Sequence, residues 1–253
     1  PTVAPPTDIV AIHAQGAAFW PLAMARELDD AILHLRTNEA ELGTWVFTTS
    51  GDADLVDAGD RALLDNAGDW LLRETTLFMK RVFKRIDVTS RSLITLIEPG
   101  SCFAGSLFEL VLVADRSFML DGVFEGDNRP AATLRPGDIN FGPLPMCNDL
   151  TRLETRFLND ADAVTAVRAS TAKDLDAEAA DDLGLVTFIP DDIDWEDEHG
   201  SHVEACVGRL VPEIAKPVFP AYDLSQQYRV MEILSEKTDI PAPDMRGLEL
   251  DSK

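Results

Sequence analysis

Residues 92–121, SLITLIEPGSCFAGSLFELVLVADRSFMLD, decide the fold. The apolar run from Leu93 to Ile97 is too short for an ordinary helix and rich in β-branched residues. With Pro99-Gly100 ending it, it predicts a buried strand. A glycine-framed turn follows. From Ser106 to Ala114 every residue is apolar except Ser106 and Glu109, which predicts a helix buried on all sides, and Arg116 to Leu120 predicts the next strand. Glu109 is the only charged residue between Glu98 and Asp115. Unpaired in such a helix, a carboxylate is costly. Two readings of it compete. Ser106-Leu107-Phe108-Glu109 is a capping box, in which the glutamate reaches back to the Ser106 N–H. Alternatively, desolvation raises the pKa of Glu109, as a general acid or base requires.

Working outward from this stretch, residues 8–13 predict a first strand and 18–35 an amphipathic helix with Leu22, Leu28 and Ile32 on one stripe. Residues 44–49 predict another strand, running into a polar loop, Ser50-Gly51-Asp52-Ala53-Asp54-Leu55. Residues 60–84 predict one long helix with Gly68 a weak point. Turn-rich excursions follow at 122–130 and 136–143, and Asn148 or Asp149 is placed to cap a helix running to Phe157. From Pro190 the composition shifts to an acidic stretch, 191–198, and then to helical segments interrupted by Pro212, Pro217 and Pro220. We divide the chain into a core, 1–189, and a helical extension, 190–253, that packs against a neighbouring domain or subunit.

The chain has 253 residues, 45% of them hydrophobic, enough to fill a large core. It starts at Pro1 without a signal-peptide pattern, as a piece of a longer polypeptide would. No apolar stretch approaches the ~20 residues needed to cross a bilayer. Three widely spaced cysteines, Cys102, Cys147 and Cys206, fit a reduced, cytoplasmic setting. The net charge of −23 repels polyanions, so nucleic acid and anionic membrane surfaces are excluded as partners. The one dense basic cluster, Lys80-Arg81 with Lys84-Arg85, reads as a solvated face at a helix C-terminus ahead of a phosphate site. His199, His202 and Cys206 share a helical spacing but lack a fourth zinc ligand. Asp52, Asp54 and Asp57 miss the calcium-loop spacing. Cys102 has no histidine near it in sequence, and His13 and His34 read as structural.

The run Ala104-Gly105-Ser106-Leu107-Phe108-Glu109-Leu110, closed by Asp115, resembles the crotonase (enoyl-CoA hydratase/isomerase) superfamily, whose signature reads GGxxELxxxxD. A second landmark, the helix-to-strand passage AxxxGLV, stands at 177–186. The resemblance covers nearly the whole chain. It implies an α/β fold, a spiral of β-β-α units, and an acyl-CoA substrate carried as its thioester with no further cofactor and no metal. Through residues 91–122 and 136–157 it is closer to the C-terminal of two crotonase-like halves in a branch that opens an aromatic ring in benzoate breakdown. The partners implied are therefore an N-terminal crotonase-like half of the same protein and further copies in a homo-oligomer. By position in the motif, the oxyanion hole would take its N–H groups from Ser106 and from Gly51, and the catalytic carboxylates would be Glu109 and Asp138. Asp138 after Pro136-Gly137 also suits an ordinary turn. Ser106 and Leu107 stand where the family carries a run of glycines. That departure favours a degenerate half that scaffolds a catalytic one.

Overall fold

The computed structural model describes residues 3–158 and 160–195. The expected extension from 196 onward, with His199, His202, Cys206 and the prolines, lies outside the described residues, as does most of the proposed 190–253 domain.

Two small parallel sheets carry the core. In the first, β1 (Thr44–Phe47), β2 (Ser92–Ile97) and β4 (Arg116–Met119) lie in the order β1-β2-β4, with Val46 opposite Ile94 and Leu96 opposite Phe118. In the second, β3 (Phe103–Ala104) pairs with β5 (Leu134–Arg135). The chain alternates between the sheets: β2, β3 and then helix α5 (Gly105–Val113), followed by β4, β5 and a 3-10 helix, Asp138–Phe141. This is the β-β-α progression expected from the resemblance. Phe188 extends the first sheet beside β4, and its ring stacks on Phe118 with centroids 5.0 Å apart.

α5 is the buried centre. Gly105 to Leu112 are all buried, as a helix apolar on every face requires. α3 (Ala53–Asp65) and α4 (Trp70–Asp87) pack on it, and α2 (Trp20–Thr37) packs on α4; together they fill the interior with Ile32, Val56, Leu63, Met79 and Phe83. Among the described residues no helix is long and apolar enough to cross a membrane.

Local expectations differ from the structure in three places. Residues 8–13 are not a strand but most of a helix, α1 (Ile9–Gln15), because Asp8 caps it by accepting from the N–H groups of Val10 and Ala11. Only Ile12 of that helix is buried, so the apolar run is a surface turn of helix and not a sheet element. The single helix expected over 60–84 is two, α3 and α4. Asp69 starts the second by accepting from the N–H groups of Leu71 and Leu72. The helix α6 (Arg152–Arg156) is capped by Thr151, not by Asn148 or Asp149. Its capping box closes with Glu154 Oε2 accepting from the Thr151 N–H at 2.7 Å. Asp149 instead takes a positive φ of 64° in the preceding turn.

Candidate active site

Glu109 does not close a capping box with Ser106. The N-cap of α5 is Ala104, and Glu109 lies one turn into the helix, 1% exposed, facing other elements. Its Oε2 accepts from Arg152 Nη1 at 2.6 Å, and its Oε1 accepts from Asn140 Nδ2 at 2.7 Å. Arg152 also forks onto Asp87, with Nε to Oδ1 at 2.9 Å and Nη2 to Oδ2 at 2.8 Å, and donates to the Leu144 carbonyl. One buried guanidinium thus serves carboxylates from α4 and α5, and the ring of Phe83 lies 5.4 Å from it. Burial pushes both carboxyls above their ordinary range, while Arg152 pulls them back. An interior ion pair needs such complete bonding to be tolerated.

Asp138 opens the 3-10 helix and is exposed, so it is not brought to Glu109. The residue that reaches Glu109 is Asn140, two positions on. Its amide donates also to the Gly105 carbonyl at 2.9 Å, and its Oδ1 accepts from the Gly137 N–H at 2.8 Å. Asn140 therefore ties the 136–143 excursion to the start of α5.

The start of α5 holds the second polar cluster. The Ser106 N–H, assigned to oxyanion stabilisation by the resemblance, donates to Asp60 Oδ2 at 2.6 Å. Asp60 comes from α3 and is buried. Burial pushes its carboxyl up to about 7 against the pull of the Ser106 N–H, and the charges of Asp57 and Glu109 push the same way. Gly105 makes this approach possible. It sits at φ +47°, and a Cβ there would lie 2.1 Å from Asp60 Oδ2 and 3.3 Å from Asp57 Oδ1. Asp57, one turn before Asp60, is also buried and pushed up by burial. Arg135 of β5 steadies it at 3.0 Å and bonds Asp174 as well.

Gly51 stands in the exposed loop between β1 and α3, where Asp52 caps α3 by accepting from the Asp54 N–H. The loop is tied to the turn before β3, since the Cys102 N–H donates to Thr49 Oγ1 at 3.0 Å. Burial pushes the Cys102 thiol up, away from nucleophilic use. In the basic cluster of α4, Arg85 pairs with Asp29, and Lys84 lies 4.0 Å from Asp149. Both are engaged by carboxylates. Two surface clefts, of about 530 and 500 Å³, are lined by Arg26, Asp29 and Phe78 and by Asp121, Asp181 and Asp194. Neither is lined by Ser106, Glu109 or Asp138. Among the described residues no cluster could hold a metal ion.

Asp60, Asn140 and Arg152 were missed in the sequence. Asp57 and Asp60, spaced i, i+3 on the buried stripe of α3 with Val56 and Leu63, were the available signal. Nothing in the local sequence marks Arg152 as the partner of a residue 43 positions earlier.

No protein-family model matches the chain. It is 50% identical over 187 residues to benzoyl-CoA-dihydrodiol lyase of Aromatoleum evansii, a match covering 74% of this chain and 33% of the lyase. The chain thus spans about a third of the length of that relative. Among solved structures it is similar to AtuE of Pseudomonas aeruginosa, with a TM-score of 0.51 at 20% identity, covering 86% of this chain and 75% of that one. It is also similar to an enoyl-CoA hydratase/isomerase of Cupriavidus metallidurans, with a TM-score of 0.50 at 18% identity, covering 74% of this chain and 65% of that one.

Proposed function

We propose that this chain, which has the crotonase fold and is half identical over 187 residues to a benzoyl-CoA-dihydrodiol lyase, is the structural, non-catalytic half of an enzyme that processes a coenzyme A thioester. On this reading the whole enzyme hydrolyses 2,3-epoxybenzoyl-CoA to 3,4-didehydroadipyl-CoA semialdehyde and formate in aerobic benzoate breakdown. It does so in the cytoplasm, as a homo-oligomer, without a cofactor. An N-terminal crotonase-like half carries the working carboxylates, and this half supports it.

The observation that carries the reading is the bonding of Glu109. A general acid or base must present an oxygen to the reacting group and exchange its proton there. Both oxygens of Glu109 are bonded to Arg152 and Asn140 in the core, and Arg152 is shared with Asp87. The residue therefore joins α4, α5, α6 and the 136–143 excursion. The competing reading uses Glu109 with Asp138 as the acid/base pair and Ser106 with Gly51 as the oxyanion hole. It would need Glu109 to leave this network and Asp60 to release the Ser106 N–H.

Glu109→Gln in the protein carrying both halves separates the two readings. A structural Glu109 predicts that ring opening persists within a few-fold, while the melting temperature falls. Gln offers Arg152 no charge and sets one N–H₂ group against another, at a cost of about 1–3 kcal/mol. A hundredfold loss of turnover with unchanged melting, about 2.7 kcal/mol of transition-state stabilisation, would make this half catalytic.

A further inference from the structure

Tryptophan is among the side chains that gain most from burial, yet Trp70, the first residue of α4, is 63% exposed. Trp45 and Trp195 are buried and Trp20 is half-buried, so Trp70 is the tryptophan that stands in solvent. It does not stand alone. Its ring meets that of His13 edge-on, with centroids 5.6 Å apart. His13 lies on α1 one turn after Ile9 and Val10, which are 38% and 77% exposed. Aliphatic side chains of α1 thus extend the surface that Trp70 begins on α4. The polar groups beside it are bonded to one another: His13 Nε2 lies 2.9 Å from both oxygens of Asp69, and Arg73 donates to Glu74 at 2.9 Å. On a chain of net charge −23, this leaves an exposed apolar patch whose charged neighbours already have partners.

A patch with an exposed tryptophan at its centre and few unpaired charges has the make-up of a protein–protein contact. Its place in the chain and its charge favour one occupant. α1 is the first element of the described chain, and Val3, 75% exposed, precedes it. A half joined ahead of residue 1 would therefore enter beside α1. The lyase relative has the length for such a half, since the matched region is 33% of that protein. A second copy of this chain is the weaker occupant, because it would bring a further charge of −23 to the same surface. We propose that the exposed faces of α1 and of the start of α4, centred on Trp70, are the docking surface for the N-terminal half, with Trp70 seated in an apolar pocket of that half. This rests on the functional reading above, which gives the chain such a half, and adds where the two meet.

Hydroxyl-radical oxidation read by mass spectrometry, on this chain alone and on the protein carrying both halves, tests the assignment. In the longer protein the oxidation of Trp70 should be at least about fivefold slower, because the centre of an interface excludes water, and Ile9 and Val10 should be protected with it. Leu158, which follows α6 and is 65% exposed, is the reference. Equal oxidation of Trp70 in the two proteins, or protection of Leu158 in its place, would overturn the proposal. Trp70→Glu gives a second reading. The side chain lies on the surface, so the substitution should leave the melting of this chain as it is and lower that of the protein carrying both halves by at least about 3 °C. An equal fall in both would show that Trp70 acts within its own half, and no fall in either would show that nothing is seated on it. Both outcomes overturn the proposal. Neither measurement involves Glu109. A collapse of turnover in Glu109→Gln would sink the structural role and leave Trp70 protected, so the two can fail separately.

Discussion

Asp57, Asp60, Asp87 and Glu109 are four interior carboxyls, and burial raises every one of them. Three have an arginine partner; Asp60 has none among the described residues and accepts from the Ser106 N–H instead. A carboxyl whose folded pKa lies above its unfolded value of about 4 contributes stability that is full below about pH 4 and is lost as pH rises through the folded pKa. For Asp60 that window closes at about 7. Asp69, Asp127 and Glu154 are shifted downward, so they titrate below the window and do not oppose the trend within it. Urea denaturation should therefore show stability falling between about pH 5 and pH 8. Asp60→Asn keeps the acceptor for Ser106 and has no proton to lose. It should flatten the slope and gain about 1–4 kcal/mol at pH 8 over the unaltered chain. A variant with the same slope and no gain at pH 8 would show that Asp60 is not the buried titrating group described.

At the scale of elements, the start of α5 is clasped between α3 and the loop before the 3-10 helix, and two glycines set the closeness. A Cβ on Gly137 would lie 3.0 Å from the Gly105 Cα, and one on Gly105 would collide with Asp60 Oδ2. Gly105→Ala should therefore cost about 3 kcal/mol or more, from the collision together with a left-handed backbone at φ +47°. In an Asp60→Ala background the severe collision is gone, with Asp57 Oδ1 left at 3.3 Å, and the same substitution should cost about 1–2 kcal/mol, most of it the backbone share. Additive costs in that cycle would mean that Asp60 does not press on Gly105. The alternation of strand and buried helix was legible in residues 92–121, because apolar runs of the right length and a glycine turn fix it locally. So was the oddity of Glu109, but not its partners. The Asp87–Arg152–Glu109–Asn140 network joins residues far apart in sequence, and no periodicity encodes such pairings. Residues 8–13 misled because four apolar residues suit a strand as well as a capped helix, and only the Asp8 side chain decides between them.

Across the whole molecule, a net charge of −23 sets the background for any encounter with coenzyme A, itself a polyanion. Several of the cations that could offset it locally are engaged by carboxylates: Arg85 by Asp29, Lys84 near Asp149, Arg135 by Asp57 and Asp174, and Arg152 in the core. The helix end that would take the thioester oxygen is filled from within, and the carboxylate that would move its proton is bonded on both oxygens. The donor and the carboxylate support the proposal that this half is structural. Isothermal titration of the unaltered chain with benzoyl-CoA tests this most directly. No saturable heat is expected up to about 1 mM ligand, a binding free energy no better than about −4 kcal/mol. A saturable isotherm with a micromolar dissociation constant would contradict it.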